Sequence, residues 1–261
     1  MSGKKETTGK IADVFWAMTG KSGKRFYTSA IILAAGSSTR MGSQSKQMII
    51  IDGLTVVART VLEFEKSDCI DEIIVVAKKD EIPLYDGFAE KNGISKPFTV
   101  VEGGQTRQES ARLGSDNVNS KAKYIAIHDA ARCLITAGLI DNVCHGAYLN
   151  GAAILAIKAT DTVKLADKNA FIESTPDRKY VWQAQTPQVF KTNAFRAAAY
   201  VARDEKYEGT DDASLLEHIG IPVKLIEGSK ENIKITEQSD IYFAEAVLMA
   251  RAHAQKNDGE E

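Results

Sequence analysis

The chain has 261 residues, 44% hydrophobic and 26% charged, enough for one large α/β domain or two small ones with a sizeable core. Its 33 Lys and Arg against 35 Asp and Glu leave a net charge of −2, which argues against nucleic acid as a partner. Three cysteines (Cys69, Cys133, Cys144) without C-x-x-C spacing argue against a zinc site or disulfide framework and suit a cytoplasmic protein, and no apolar run is long enough to span a bilayer.

Residues 1–28 hold Lys4, Lys5, Lys10, Lys21, Lys24 and Arg25 against only Glu6 and Asp13. Their apolar patch, 11–18, is short and broken by Asp13, unlike a secretory signal. They read as a flexible basic extension to a single domain over 29–255, with an acidic tail at 256–261.

From Tyr27 onward, apolar runs alternate with segments of helical period. Residues 29–33 read as a strand; Val56, Val57, Thr60, Val61 and Phe64 give 55–64 a helical stripe. The β-branched run in 72–77 reads as a buried strand. Residues 78–92 read as a helix interrupted near Pro83, 98–101 as a strand and 106–118 as a helix. A strand over 124–127 ends at His128-Asp129; a helix over 139–149 and a strand over 152–157 follow. This order predicts a Rossmann-like α/β fold, a mainly parallel twisted sheet with helices on both faces. From about 158 to 181 the chain turns polar and alternating, which reads as a projecting β-arm poorly packed on its own subunit and suited to dimerisation. Helices at 193–204 and 212–218, strands at 222–226 and 232–235, and a helix from 238 to about 253 complete the chain.

The first strand feeds Ala34-Ala35-Gly36-Ser37-Ser38-Thr39-Arg40-Met41-Gly42, with Lys46 and Gln47 behind. Small residues let backbone N–H groups approach a polyphosphate, and the two cations neutralise it. Neither the P-loop pattern nor the dinucleotide fingerprint is present. In parallel sheets ligands sit beyond the carboxyl ends of the strands, where 34–36, 102–104 and 128–132 all fall. Asp129 at a strand end suits a Mg²⁺ ligand or a helix N-cap equally. The run Gly209-Thr210-Asp211-Asp212-Ala213 suits a cap before a helix, and Lys234 alternates to one face between Ile233 and Ile235.

Together these groups resemble the 2-C-methyl-D-erythritol 4-phosphate cytidylyltransferases of non-mevalonate isoprenoid biosynthesis. The matching pieces, from Tyr27 to Arg251, include Ala34-Ala35-Gly36, Arg40-Met41, Lys46-Gln47, Gly103-Gly104 with Arg107 and Ser110, and His128-Asp129-Ala130-Ala131-Arg132. They continue through Asp161-Thr162, Asp177-Arg178, Gln185-Thr186-Pro187-Gln188, Thr210-Asp211-Asp212-Ala213-Ser214 and Asn232-Ile233-Lys234-Ile235-Thr236. The resemblance implies a Mg²⁺-dependent transfer of CMP from CTP to methylerythritol phosphate. It implies that Ala34, Ala35 and Gly36 cradle the nucleotide, with Arg40 and Lys46 on the triphosphate. Gly104, Gln105 and Ser110 match positions that read cytosine and ribose, and Asp129, with Ala130 beside it, the position that helps hold Mg²⁺ and ribose. Arg132, Thr162 and Arg178 match residues on the acceptor, the last two supplied across a homodimer; Thr186, Thr210 and Lys234 complete that pocket. Lys46, Lys234, Arg40 and Mg²⁺ are then the groups expected to stabilise the transition state.

Two departures stand out: Cys133 follows Arg132 where many members have proline, and the interval from Arg40 to Lys46 is a residue shorter than in some. The nearest alternative on the same scaffold is a ribitol-5-phosphate cytidylyltransferase. A catalytically silent nucleotide-binding regulator is the alternative of another class, opposed by the presence of both Lys46 and Lys234.

Overall fold

The computed structural model describes residues 25–36 and 45–257. Strand β1 (Thr28–Leu33) is wholly buried. A hairpin of β2 (Ile50–Ile51) and β3 (Leu54–Thr55) turns on Asp52 and Gly53, both at positive φ, and leads into helix α1 (Val56–Lys66). The Thr55 side chain caps α1 by accepting from the Ala58 N–H. Strand β4 (Glu72–Ala77) follows as expected. The helix expected over 78–92 is instead a 3₁₀ segment (Lys79–Tyr85) containing Pro83 and a one-turn helix, α2 (Phe88–Lys91). Proline lacks the N–H that an α-helix interior needs, and Gly87 at φ 67° ends the turn.

Then come β5 (Phe98–Glu102), α3 (Arg107–Asp116), β6 (Tyr124–Asp129), α4 (Ala137–Asn150) and β7 (Ala152–Lys158). The arm is a small exposed hairpin of β8 (Leu165–Ala166) and β9 (Ile172–Ser174). Strand β10 (Trp182–Lys191), helices α5 (Thr192–Asp204) and α6 (Asp212–His218), β11 (Lys224–Glu227) and α7 (Gln238–Asn257) complete the fold. Among the described residues, no helix is long and apolar enough to cross a membrane.

The central sheet has the order β11-β7-β10-β6-β1-β4-β5. All neighbours are parallel except β10, which runs antiparallel between β6 and β7. Sequence reading assigned no strand to β10. It starts polar (Gln183, Gln185, Thr186), Pro187 sits at its middle, and its pairing with β7 shifts register between Ala184 and Gln188. The expected strand at 232–235 is a loop: the Ile235 N–H bonds to the Ala131 carbonyl, not to a sheet edge.

Alternation along the strands builds two cores. Ala30 and Ile32 of β1 face α1 and α4, while Ile31 and Leu33 face α3, α5 and α6. A third cluster joins Ile51, Val56, Leu134, Ile235, Ile241 and Ala244, seating α7 and the loop before it. Residues 25–28, placed in the extension by composition, already belong to the fold. Arg25 pairs with Asp71 at 2.6 Å, and the Phe26 ring lies 5.2 Å from both Tyr124 and Tyr148. The expectations for 1–24 and 258–261 lie outside the described residues.

Phe190 on β10 is fully buried and stacks on Phe195 at 5.9 Å. Phe190→Ala is expected to cost about 3–5 kcal/mol, seen as a lower urea midpoint at an unchanged m-value.

Candidate active site

Strands β5, β4, β1 and β6 are neighbours in that order, so the chain reverses its winding at β1 and β6. The crevice expected at such a switch point is a cleft of about 610 Å³ over the carboxyl ends of these strands. Its floor is built from glycine: a Cβ on Gly103 would sit 2.7 Å from the Ala35 Cβ, and one on Gly104 would overlap the Glu109 side chain. The Ser110 hydroxyl accepts from the Gly104 N–H and donates to the Thr106 carbonyl, and Glu109 accepts from the Gln105 N–H. These bonds leave the Gly104-Gln105 edge facing the cleft. Lys46, Lys78, Lys79 and Lys234 also line it.

Asp129, at the end of β6, is 7% exposed. Its Oδ1 accepts from Arg107 Nε at 3.0 Å; its Oδ2 lies 3.0 Å from Lys234 Nζ and 3.8 Å from Arg132 Nε. Burial opposes ionisation of this carboxyl, but Arg107, Lys234 and Arg132 outweigh it and hold its pKa well below the usual range. Arg107 also reaches Asp212 Oδ2 with a second nitrogen at 2.8 Å. Asp212 is pushed above the ordinary carboxylate value, mainly by burial, although Arg107 opposes the shift.

His128 precedes Asp129 and is fully buried. Desolvation lowers its pKa to about 3, keeping the imidazole neutral. Its nitrogens meet Thr186 Oγ1 at 3.0 Å and the Arg132 carbonyl at 3.3 Å.

The structure gathers half of the expected residues at one cleft. Ala35, Gly36, Lys46, Gly104, Gln105, Ser110, Asp129 and Lys234 line it. Ala34 and Ala130 are fully buried behind it, with their N–H groups on the Val76 and Leu33 carbonyls, so these two amides are unavailable to a ligand. Arg132 approaches Asp129 while its Nη1 donates to the Asn232 carbonyl at 2.8 Å, and Thr186 is 4% exposed. Thr210 lines a separate cavity of about 360 Å³ beyond Arg107. Thr162 and Arg178 are exposed on the arm, where Arg178 donates to the Thr160 carbonyl. Arg40 lies outside the described residues.

Sequence reading did not assign roles to Arg107, Asp212, Lys78 and Lys79. The lysines sit just past the end of β4, where the strand-end rule could have found them. Asp211 caps α6 through the Ser214 N–H, in line with the cap expected before this helix. Asp212 instead faces Arg107, 105 residues away, and local pattern carries no sign of that pairing.

A glycine-floored, lysine-lined cleft with a buried carboxylate at its base, at the switch point of a doubly wound sheet, defines a nucleotide-handling α/β transferase. The family model described as "IspD: 2-C-methyl-D-erythritol 4-phosphate cytidylyltransferase" matches residues 28–250, and the chain belongs to this family. A 2-C-methyl-D-erythritol 4-phosphate cytidylyltransferase of Caldanaerobacter subterraneus subsp. tengcongensis is 42% identical over 222 residues, 84% of this chain and 98% of that one. A protein of the same name from Syntrophus aciditrophicus is 41% identical over 84% of this chain and 94% of its own length. Among solved structures, the 4-diphosphocytidyl-2C-methyl-D-erythritol synthase of Anaerococcus prevotii superposes with a TM-score of 0.78 at 33% identity, covering 86% of this chain and 96% of that one.

Arg107→Leu would leave two carboxylates buried with less compensation, an expected loss of about 3–5 kcal/mol at neutral pH. Asp129 titrates lower in the folded chain, so its stabilisation is present above the unfolded value of about 3.9 and fades as pH falls through it. Asp212 has the opposite sign. The gap between wild type and Arg107→Leu should therefore shrink as the variant's carboxylates protonate, which urea unfolding at pH 7 and pH 4 measures.

Proposed function

We infer that this chain transfers CMP from CTP to 2-C-methyl-D-erythritol 4-phosphate, releasing pyrophosphate and forming 4-diphosphocytidyl-2-C-methyl-D-erythritol. The observation that carries the reading at this site is the meeting of Lys46, Lys234 and Asp129 on one cleft, beside the Gly104–Ser110 edge. CTP lies, on this reading, with its base and ribose against Gly104, Gln105 and Ser110 and its phosphates towards Gly36, Lys46 and Arg40. Arg132, Thr186 and Lys234 hold the acceptor, with Thr162 and Arg178 contributed by a second copy; Thr210, in its separate cavity, would join them only by a rearrangement around Arg107.

An acceptor phosphate oxygen attacks the α-phosphorus in line; the new P–O bond forms as the bond to the β-phosphate oxygen breaks. A phosphate monoester has its second pKa near 6, so its attacking oxygen needs no strong base. The buried, neutral His128 is consistent with that. The protein's share is alignment of the two anions and charge stabilisation at phosphorus by Lys46, Lys234 and Arg40.

Among the described residues, no group of three or more His, Cys, Asp or Glu could hold a metal alone. A divalent cation therefore needs a carboxylate shared with phosphate oxygens, and Asp129 fits, since its Oδ1 accepts only from Arg107 among the described residues. Bound there, Mg²⁺ would neutralise phosphate charge. Residues 29–255 act on this reading as one nucleotidyltransferase domain with an arm over 158–181. The free cysteines are in keeping with a cytoplasmic enzyme.

Pyrophosphate release from CTP and Mg²⁺ should be strong with methylerythritol phosphate and weak with ribitol 5-phosphate; the reverse preference would move the assignment to the ribitol enzyme. Lys46→Ala and Lys234→Ala should each lower turnover by about 10²–10³-fold while the chain stays folded by circular dichroism.

The shared site has its own test. Lys234→Ala and Arg178→Ala homodimers, each inactive, should regain roughly a quarter of wild-type activity when unfolded, mixed and refolded, because half the dimers then carry one intact site. No recovery, together with a monomer in sedimentation, would refute the arm's role.

A further inference from the structure

His128 has no task in the transfer chemistry, yet both of its nitrogens are engaged by residues of the acceptor side. The directions of these bonds can be worked out. The Arg132 carbonyl can only accept, so Nε2, 3.3 Å away, carries the proton. A neutral imidazole has a single N–H, so Nδ1 accepts and the Thr186 hydroxyl, 3.0 Å away, donates to it. The same hydroxyl keeps lone pairs to accept the Asp129 N–H at 3.1 Å.

The chain of bonds closes on itself. Arg132 Nη1 donates to the Asn232 carbonyl at 2.8 Å, and Asn232 Nδ2 donates to the Thr186 carbonyl at 2.9 Å. His128, Arg132, Asn232 and Thr186 thus form a ring. It draws on the end of β6, the turn behind it, β10 and the loop that carries Lys234 two residues on. Asn232 is fully buried and Thr186 nearly so, while His128 packs on Phe64 with ring centroids 5.1 Å apart. A chain of oriented bonds in a dry interior is stiff, because each member left unpaired would carry a desolvation penalty.

We propose that His128, with its proton on Nε2, is a positioning residue that closes this ring and sets Thr186, Arg132 and the Lys234 loop relative to one another without touching either substrate. The inference rests on the reading that Thr186 and Arg132 hold the acceptor. The nucleotide edge, Gly104 to Ser110, is held by its own bonds to Glu109 and Thr106 and takes no part in the ring. Loss of His128 should therefore weaken the acceptor side selectively.

The first test is the ¹⁵N spectrum of the histidine side chains in the labelled full chain, without substrates, with the His128 signals assigned by their loss in a variant. A bare Nδ1 and a protonated Nε2 are expected; a proton on Nδ1 would overturn the ring. The second test is His128→Phe, which keeps packing on Phe64 and removes both bonds. Its KM for methylerythritol phosphate should rise about tenfold, while CTP binding stays within about twofold of wild type. If the phenylalanine variant does not fold, His128→Asn, whose amide oxygen can still accept from Thr186, should show a smaller rise of the same kind. A folded variant with an unchanged acceptor KM, or with CTP binding weakened equally, would refute the proposal. A wild-type chain silent towards methylerythritol phosphate would instead overturn the acceptor assignment, while the ring stood or fell on the spectrum.

Discussion

The Asp129 carboxylate is the charge around which the rest of the site is arranged. It ends a strand buried on both faces, where an unpaired ion would be prohibitively expensive. Three cations answer it, from three places in the chain: Arg107 at the start of α3, Arg132 in the turn after β6, and Lys234 in the loop before α7. None comes from a regular element that β6 itself positions, so each segment is anchored separately. Thr106 caps α3 through the Glu109 N–H, the turn closes through Arg132 N–H to the Asp129 carbonyl, and Ile235 fixes the loop by its burial and its bond to Ala131. Apolar burial in the third cluster is thereby coupled to where Lys234 stands.

That arrangement also biases the cleft towards anions. Arg107 is shared between Asp129 and Asp212, but Lys46, Lys78, Lys79, Arg107 and Lys234 line the cleft against Asp80, Glu102 and Asp129, so cations outnumber carboxylates there. A polyphosphate is the ligand that such a surplus, set over a glycine floor, accommodates. The pull on Asp129 is divided among three groups at different distances, so its charge is held without being sealed off. On the proposed function, a carboxylate that organises the empty site and would also meet nucleotide and cation has to satisfy these two conditions together.

Local chemistry was legible in the sequence wherever neighbouring residues determine it. The β-branched run at 72–77, the end of β6 at Asp129, the helix over 212–218 and the exposed arm follow from period, propensity and turn residues. What failed was set by tertiary context. Strand β10 reads as polar because its first half borders the site and its pairing is irregular, so neither alternation nor apolarity marks it. Ile233 and Ile235 alternate as a strand would, yet they are hydrophobic anchors of a loop. Ala34 and Ala130 match phosphate-cradling and nucleotide positions, but their amides extend the ladder between β1, β4 and β6. The Arg107–Asp212 pair joins residues more than a hundred positions apart, beyond any local pattern. Cys133 shows the converse. The turn closes through Arg132 N–H to the Asp129 carbonyl and Ile135 N–H to the Arg132 carbonyl, and the cysteine within it is buried, with burial pushing its thiol up to about 11.

The arm poses a different physical problem. Its strands are two and three residues long, and a hairpin of that size is not stable in water on its own contacts. Leu165, Phe171, Ile172 and Tyr180 are all more than half exposed on or beside it, a concentration of apolar surface unusual for such a short segment. Thr162 and Arg178 stand on the same projection, and neither lines the cleft of its own chain. Burying those apolar side chains against a second copy would stabilise the hairpin, and on the proposed reading the same contact would bring the two polar residues to the partner's cleft. If the proposed second copy docks there, assembly and catalysis would be one requirement, and the arm's exposed apolar surface would be buried by the same contact that completes the site.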